Sequence, residues 1–350
     1  MSSINQEASL FEFVCVLCNP PDHRSQTDLN NLSIPERQKV FQDLAGSCDI
    51  QEEDLARLVD AIHKLNEYLS TIPNKTAYEL AVRQNSSYTL DPAFLLMFLR
   101  ANEYDPHRSA EMIVAHFEEK LELFGEEKLT KPIELSDLSD DDMESLKSGG
   151  VQIASSKDKA GRVIAFFRKE QYRWKTIDSW LRSFWYIWMA ILQDEDVQLR
   201  GIVTIAFEVG APIPKFDFEL IRRELKMLRC IPMRIVGSHF CAGNEVYMQA
   251  LNLVLHMATP FFRVRTRAHF GIETEILYQL MTFGIPPSAI PWVAGGSNHH
   301  ERWLEERQWI ETPHKFLSMD LDDHSARDDD EDHVDGDDLD DHADRATDVT

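Results

Sequence analysis

Short β-rich segments alternate with longer helical segments in the second half of this 350-residue chain. Residues 162–168, 200–209 and 232–240 are rich in β-branched and aromatic side chains, whereas residues 177–194 and 217–228 carry apolar side chains at helical spacing. This order of strand and helix is typical of βαβ units, whose strands lie parallel in one sheet with helices packed on it. The alternation therefore predicts an α/β fold with a mainly parallel sheet.

The first half of the chain carries helical signals. Ser33 and Glu36 form a capping box, and Asp91 and Asp105 each place a capping carboxylate before a proline in a first helical turn. Residues 55–69 repeat apolar side chains on one helical face, which needs a packing partner. These signals predict a small all-helical lobe that precedes the sheet.

Composition and charge divide the chain into four predicted regions. They are an N-terminal arm at 1–32, the helical lobe at 33–130, a lobe containing the sheet at 131–317, and an acidic tail at 318–350. The net charge is −24, and residues 320–350 hold fifteen Asp and Glu against two Arg. Such a self-repelling run is expected to be disordered. The acidic balance also argues against a nucleic-acid partner.

The five cysteines form no regular disulfide framework, which favours free thiols in a reducing compartment. Cys15 and Cys18 lack a second Cys or His pair at comparable spacing, so neither a metal site nor a cofactor is predicted. The N-terminus lacks the basic start of a signal peptide, and the longest apolar run, 184–192, is shorter than the roughly 20 residues of a spanning helix. We expect a soluble, cytoplasmic monomer.

Four short motifs follow one another between residues 95 and 296. Residues 95–105 read LLMFLRANEYD, with Ala-Glu-Met at 110–112; Gly161-Arg162 opens the first predicted strand; residues 231–235 read IPMRI; and residues 290–296 read IPWVAGG. Each motif alone is weakly specific. In this shared order they resemble the CRAL-TRIO family of lipid-binding proteins, whose patterns include LLRFLRARKFD with a following A-E-M, YPxRL and LPxEYGG.

The resemblance implies a helical lobe against a mainly parallel sheet, with an apolar cavity closed by a mobile gate helix. Residues 245–260 stand where the gate would be, and their own pattern places Leu251 and Leu255 on an apolar helical face. The implied function is not enzymatic: one hydrophobic small molecule or phospholipid is bound and carried or presented between membranes, whose surface the protein contacts transiently. A protein-interaction module with a vestigial cavity is the alternative.

Candidate cavity residues come from the predicted strands, the aromatic helix and the gate. The helix at 177–194 is apolar nearly all round, so each of its aromatic side chains is either ordinary core or cavity wall. The predicted set comprises Phe166, Trp185, Trp188, Ile205, Phe207, Met233, Ile235, Phe240, Leu251 and Leu255.

Strand alternation assigns faces in the third predicted strand. Met233, Ile235 and His239 are expected on one face and Phe240 on the other. His239 either hydrogen-bonds a lipid head group or is a satisfied core histidine. A thiol enzyme built on His239 and Cys241 is a third class of function, although no orienting group or oxyanion motif is evident for it.

Basic residues alternate between positions 263 and 269. In a strand, Arg263, Arg265, Arg267 and His269 would form one row on one face. The row is either a solvated edge or a site for an anionic head group or membrane phosphate, which guanidinium groups match well. Together with His239, these residues form the predicted head-group or membrane site.

Overall fold

The computed structural model describes residues 22–47, 53–210, 217–243, 247–290 and 299–311. Several of the sequence predictions concern other positions. Outside the described residues lie the Cys15 and Cys18 pair, most of the predicted N-terminal arm, the motif residues 291–296 and the acidic tail 318–350.

The centre of the described chain is a five-stranded sheet. Its strands are β1 (Val151–Ile153), β2 (Val163–Phe167), β3 (Ile202–Glu208), β4 (Ile235–Ala242) and β5 (Thr266–Phe270). They lie side by side in sequence order. β1 pairs antiparallel with β2, and the other neighbours pair parallel. The predicted α/β fold with a mainly parallel sheet is confirmed.

Helices surround the strands. Before β1 lie α1 (His23–Asn31), α2 (Ile34–Ala45), α3 (Leu55–Thr71), α4 (Thr76–Gln84), α5 (Ser86–Thr89), α6 (Pro92–Ala101), α7 (Pro106–Phe124) and α8 (Asp140–Lys147). After β2 lie α9 (Ile177–Ile191), α10 (Glu195–Arg200), α11 (Phe218–Met227), α12 (Tyr247–Met257), α13 (Pro260–Val264), α14 (Glu273–Thr282) and α15 (His299–Glu311). Short 3-10 turns occur at Glu126–Lys128, Leu135–Asp137, Lys169–Gln171 and Pro287–Ala289.

The predicted caps begin their helices. The Glu36 carboxylate accepts a hydrogen bond from the backbone N–H of Ser33 at 2.7 Å, which closes the capping box of α2. Asp91 and Asp105 accept from backbone N–H groups of α6 and α7 at 3.1 and 3.0 Å. Because a cap is a contact between near neighbours in sequence, these helix starts could be read from the sequence alone.

Residues 22–32, at the end of the predicted N-terminal arm, form a capped helix that packs on the rest of the fold. Asp22 caps α1 by accepting from the backbone N–H of Ser25 at 2.6 Å, and Leu29 is buried. α1 packs on α13, where the Asp28 carboxylate lies 2.6 Å from Nε of Arg263. Leu29, the pair of Asp28 with Arg263 and the contact of Arg24 with His256 hold this nine-residue helix in place.

Arg100, the arginine of the LLMFLRA motif, joins the helical lobe to the sheet lobe. Its Nε and Nη2 donate to the Glu53 carboxylate at 2.9 and 2.6 Å, and its Nη1 donates to Oε1 of Gln198 on α10 at 2.7 Å. The two lobes share one compact unit, which extends to Glu305. The predicted boundary between residues 130 and 131 stays a prediction. The second unit is described only over residues 306–311, the end of α15.

Apolar side chains cover both faces of the sheet. On the face that we call the α9 face, Ala165 and Ile202 pack in one cluster with the aromatic side chains of α9. On the opposite face, called the α14 face, Ile164, Phe166 and Ile205 pack with side chains of α2 and α14. A parallel sheet covered on both sides has nearly continuous apolar strands. The strand sequences therefore do not distinguish the two faces.

Candidate functional site

A cavity lies on the α9 face, between the sheet and helices α9, α11 and α12. Its volume is about 140 Å³. Leu251 and Val254 of α12 border it on one side, and Phe184 of α9 and Ile221 of α11 border it on others. Because these side chains are apolar, the cavity suits a hydrophobic occupant.

One row of the sheet forms the floor of the cavity. In the strand register, Thr204 of β3 lies beside Ser238 of β4, and Ser238 lies beside Thr266 of β5. Residues paired in register share a face, so three hydroxyl groups stand in a row, and all three line the cavity. The Thr266 hydroxyl donates to the Phe262 carbonyl at 3.0 Å.

The structure brings part of the predicted cavity set together. Ile235, Phe240 and Leu251 line the cavity. Met233 lines a smaller pocket of about 70 Å³, which shares Ile235 with the main cavity. The strand residues and the gate residue of the prediction therefore meet across this space.

The prediction that Phe166, Ile205 and Phe207 line the cavity is wrong. They belong to the cluster on the opposite, α14 face of the sheet. Their neighbours along the strands line the cavity instead, as Phe167, Thr204 and Ala206 do. Side chains of a strand alternate between faces, and both sets are apolar enough to be buried. The prediction therefore placed these three residues on the wrong face of the sheet.

A β-bulge in β4 places its side chains on other faces than strict alternation predicts. The register with β3 pairs Ile202 with Ile235 but Val203 with Gly237, so β4 holds one extra residue there. A bulge of this kind reverses the alternation after it. Ile235 and Phe240 consequently share the cavity face, whereas strict alternation separates them.

Trp185 and Trp188 stand behind the cavity wall. The Trp185 ring lies 4.7 Å from the His116 ring, and the Trp188 ring lies 5.4 Å from the Phe184 ring, measured between centroids. Both tryptophans belong to the core around α9, and Phe184 is the α9 residue that lines the cavity. Leu255 is likewise fully buried, in the cluster beneath α12. For Trp185 and Trp188 the core alternative describes their position, and Leu255, which was predicted to line the cavity, belongs to the core as well.

The cavity wall holds a polar side chain, Glu224, that is absent from the predicted set. Glu224 of α11 lines the cavity, and its Oε1 accepts a hydrogen bond from Nε1 of Trp180 at 2.7 Å. Burial raises the pKa of Glu224 to about 7. Tyr172, whose ring lies 4.2 Å from that of Trp180, and Lys169 line the same end. A signal was present, because Glu224 occupies the apolar stripe of its helix, three residues after Ile221 and four before Leu228.

The predicted basic row divides between different elements. Arg263 lies in α13, Arg265 follows that helix, and only Arg267 and His269 lie in β5, which corrects the prediction of one strand. All four are buried. The Arg265 guanidinium lies 2.9 Å from the Asp43 carboxylate of α2, and Arg263 pairs with Asp28. Arg263 and Arg265 thus hold buried ion pairs with the N-terminal helices.

His239, Arg267 and His269 do meet, but on the α14 face. His239 is in register with Ile205 and Arg267, both on the face opposite the cavity. Nδ1 of His239 lies 2.9 Å from Nε2 of His269. Burial lowers the pKa of His269 to about 4 and that of His239 well below its usual value. Both imidazoles are therefore neutral at pH 7, and their predicted role with a lipid head group stays a prediction.

Cys241 is also fully buried on the α14 face. Burial raises the pKa of its thiol well above the usual value. A catalytic cysteine needs a lowered pKa and access to substrate. The environment of Cys241 thus disfavours the thiol-enzyme hypothesis.

No helix within the described ranges is both long and apolar enough to cross a membrane.

The sequence was compared with known proteins and family models. No family model matches it. Alpha-tocopherol transfer protein-like of Homo sapiens is 25% identical over 224 residues, which cover 61% of this chain and 60% of that protein. Its Mus musculus counterpart is 23% identical over 74% of this chain and 69% of its own length. Clavesin-2 of Rattus norvegicus is 27% identical over 59% and 62%. The chain thus matches about 60% of the length of the human relative, and the relatives that it matches are members of the CRAL-TRIO family.

Proposed function

We propose that this protein binds one hydrophobic lipid in the cavity between the sheet and α12 and carries or presents it between membranes, without covalent chemistry. The observation that carries the proposal is the apolar cavity bordered by Leu251 and Val254 of α12, the helix at the position of the expected gate. The match to proteins named for alpha-tocopherol transfer agrees with a lipid cargo.

The cavity has to widen to hold such a cargo. Its volume of about 140 Å³ is below the roughly 300–1,000 Å³ of typical ligand sites. The C-terminal end of α12 is held by polar contacts, since Arg229 donates to the Met257 carbonyl at 2.8 Å and Arg24 lies 2.9 Å from His256. Leu251 and Val254 make apolar contacts that can re-form on a lipid chain. In the proposal, α12 moves away from the sheet and pivots about its C-terminal end.

Shape and a movable helix suffice for this function. A lipid with about thirty methylenes costs roughly 0.8 kcal/mol per methylene to expose to water, which prevents its free diffusion between membranes. Transfer of the same chains from a bilayer to an apolar cavity costs little, because both surroundings are apolar. A carrier therefore removes the barrier without a chemical step.

The remaining assignments follow from the same proposal. Residues 131–317 form the lipid-binding lobe and residues 33–130 support it. The protein works as a cytoplasmic monomer that touches membrane surfaces only while it loads or releases its cargo. Arg263 and Arg265 contribute by fixing α1 and α2 against the lobe.

Native mass spectrometry of protein purified from a lipid-containing host tests the proposal. Ala206 lines the cavity, so Ala206→Phe should fill it and weaken lipid binding at least about fivefold in Kd relative to wild type, a loss of about 1 kcal/mol. Ala56→Phe adds the same bulk at an exposed position of α3 and should leave loading unchanged. A wild-type protein that stays empty in the presence of lipid would support the interaction module instead.

A further inference from the structure

The polar groups of the cavity indicate which class of lipid it takes. Glu224 is the acidic member of a helical stripe that otherwise presents Ile221, Leu225 and Leu228 to the same cavity. A carboxyl in apolar surroundings is costly unless it has partners. Trp180 donates to Oε1, and within the described residues no protein group donates to Oε2. One oxygen is therefore available to an occupant of the cavity.

The charges at this end disfavour an anionic head group. Glu224 and Glu208 both lie near Tyr172, where each acts to raise the pKa of the phenol. Lys169 is near both carboxyls and acts to lower their pKa values. Arg168 and Glu170 also act on Glu208, but they pair with each other at 2.7 Å and their charges cancel. The ammonium group of Lys169 thus faces two carboxyls, and with both ionised the summed charge of these described groups is negative. A carboxylate or phosphate placed beside Glu224 would meet like charge in a setting of low polarity, where repulsion is strong.

The arginines that would neutralise a phosphate lie elsewhere. Arg263 and Arg265 are committed to Asp28 and Asp43. Arg267, in register with His239, lies on the α14 face of the sheet. Among the described residues that line the cavity, Lys169 alone is basic.

A hydroxyl group fits the same end. It can donate to an ionised Glu224 or accept from a protonated one, so the contact survives in either state. The hydroxyl row of Thr204, Ser238 and Thr266 offers further neutral donors and acceptors along the cavity floor. We propose that the cargo is a lipid alcohol whose hydroxyl group binds Glu224, and that lipids with an anionic head group are rejected. This inference rests on the proposed function.

The test is competition between two lipids with the same chain. Purified full-length protein is incubated with equimolar 1-octadecanol and octadecanoate at pH 8.5, and native mass spectrometry measures the ratio of the two complexes. We expect the alcohol complex to exceed the acid complex at least about tenfold. In Glu224→Gln, which keeps an acceptor for Trp180 and removes the charge, the ratio should fall to within about threefold of unity.

A matched control and separate failures complete the design. Glu219→Gln removes an exposed carboxylate from the same helix and should leave the ratio at its wild-type value. A wild-type ratio near unity, or one that favours octadecanoate, overturns the lipid-alcohol inference while leaving lipid carriage intact. A wild-type protein that binds neither lipid overturns the proposed function itself. The wild-type ratio tests the preference for a lipid alcohol even if Glu224→Gln fails to fold. A ratio unchanged in a folded Glu224→Gln would assign Glu224 to holding Trp180 and overturn its contact with cargo.

Discussion

Glu208, at the end of β3, is a buried carboxyl whose Oε1 has no hydrogen-bond partner among the described residues. Burial raises its pKa from the ordinary 4.5 to about 7. Below pH 4.5 the group is protonated in both the folded and the unfolded state. As pH rises to about 7, the unfolded state ionises first, so the folded state loses stability over this window.

Glu208→Gln should remove this loss. We expect the melting temperature of the variant to exceed that of wild type by an increasing margin from pH 4.5 to 7, with a plateau above pH 7 that corresponds to a few kcal/mol. Buried histidines such as His269 titrate in both proteins and cancel in the difference. Glu219→Gln, at an exposed position, should show no such increase. A pH-independent difference would mean that Glu208 is already ionised in the folded protein.

At the scale of elements, β2 and β3 show why Phe166, Ile205 and Phe207 were assigned to the wrong face, and β4 shows why its own faces were predicted wrongly. Both parities of a doubly covered strand are apolar, and the bulge opposite Ile202 and Val203 changes the parity of β4 midway. The sequence of a single strand shows neither which helix packs on each of its faces nor where a bulge interrupts its alternation. By contrast, α12 was found from its apolar face and its place in the motif order.

The junction of α13 and β5 carries an element-scale prediction. Arg265→Gln leaves the buried Asp43 carboxylate of α2 without its 2.9 Å partner, and breaking a buried pair typically costs about 3–5 kcal/mol. We expect the melting temperature to fall by roughly 6 °C or more. Arg222→Gln, which loses only an exposed pair with Glu219, should change it little.

Vesicle binding separates this account from the membrane role of the basic row. Arg265 is buried, so at low salt a folded Arg265→Gln should sediment with anionic vesicles as wild type does. If its melting temperature is unchanged while its vesicle binding is lost, Arg265 acts at the membrane and the structural account of it is wrong.

At the scale of the whole molecule, Arg100 ties the two lobes together through Glu53 and Gln198. Lysine has one ammonium group and cannot reproduce these divergent bonds. Arg100→Lys should therefore lower the free energy of unfolding by about 1–3 kcal/mol. Urea unfolding followed by tryptophan fluorescence and by circular dichroism should remain a single coincident transition, because both lobes share one unit. Arg83→Lys, at an exposed site, is the control. Two separate transitions in wild type would show that the lobes fold independently.

The sequence by itself determined the features that depend on near neighbours. Caps such as Asp91 and Asp105, the apolar stripes of the helices, and the alternation of strand and helix are local, so they predicted the α/β class and about half of the described helices and strands. Only the tertiary structure decided which strand face borders the cavity and that Arg263 and Arg265 are buried ion-pair partners. Each of these depends on contacts between residues far apart in the chain, and the 222 positions that separate Asp43 from Arg265 leave no periodic signal.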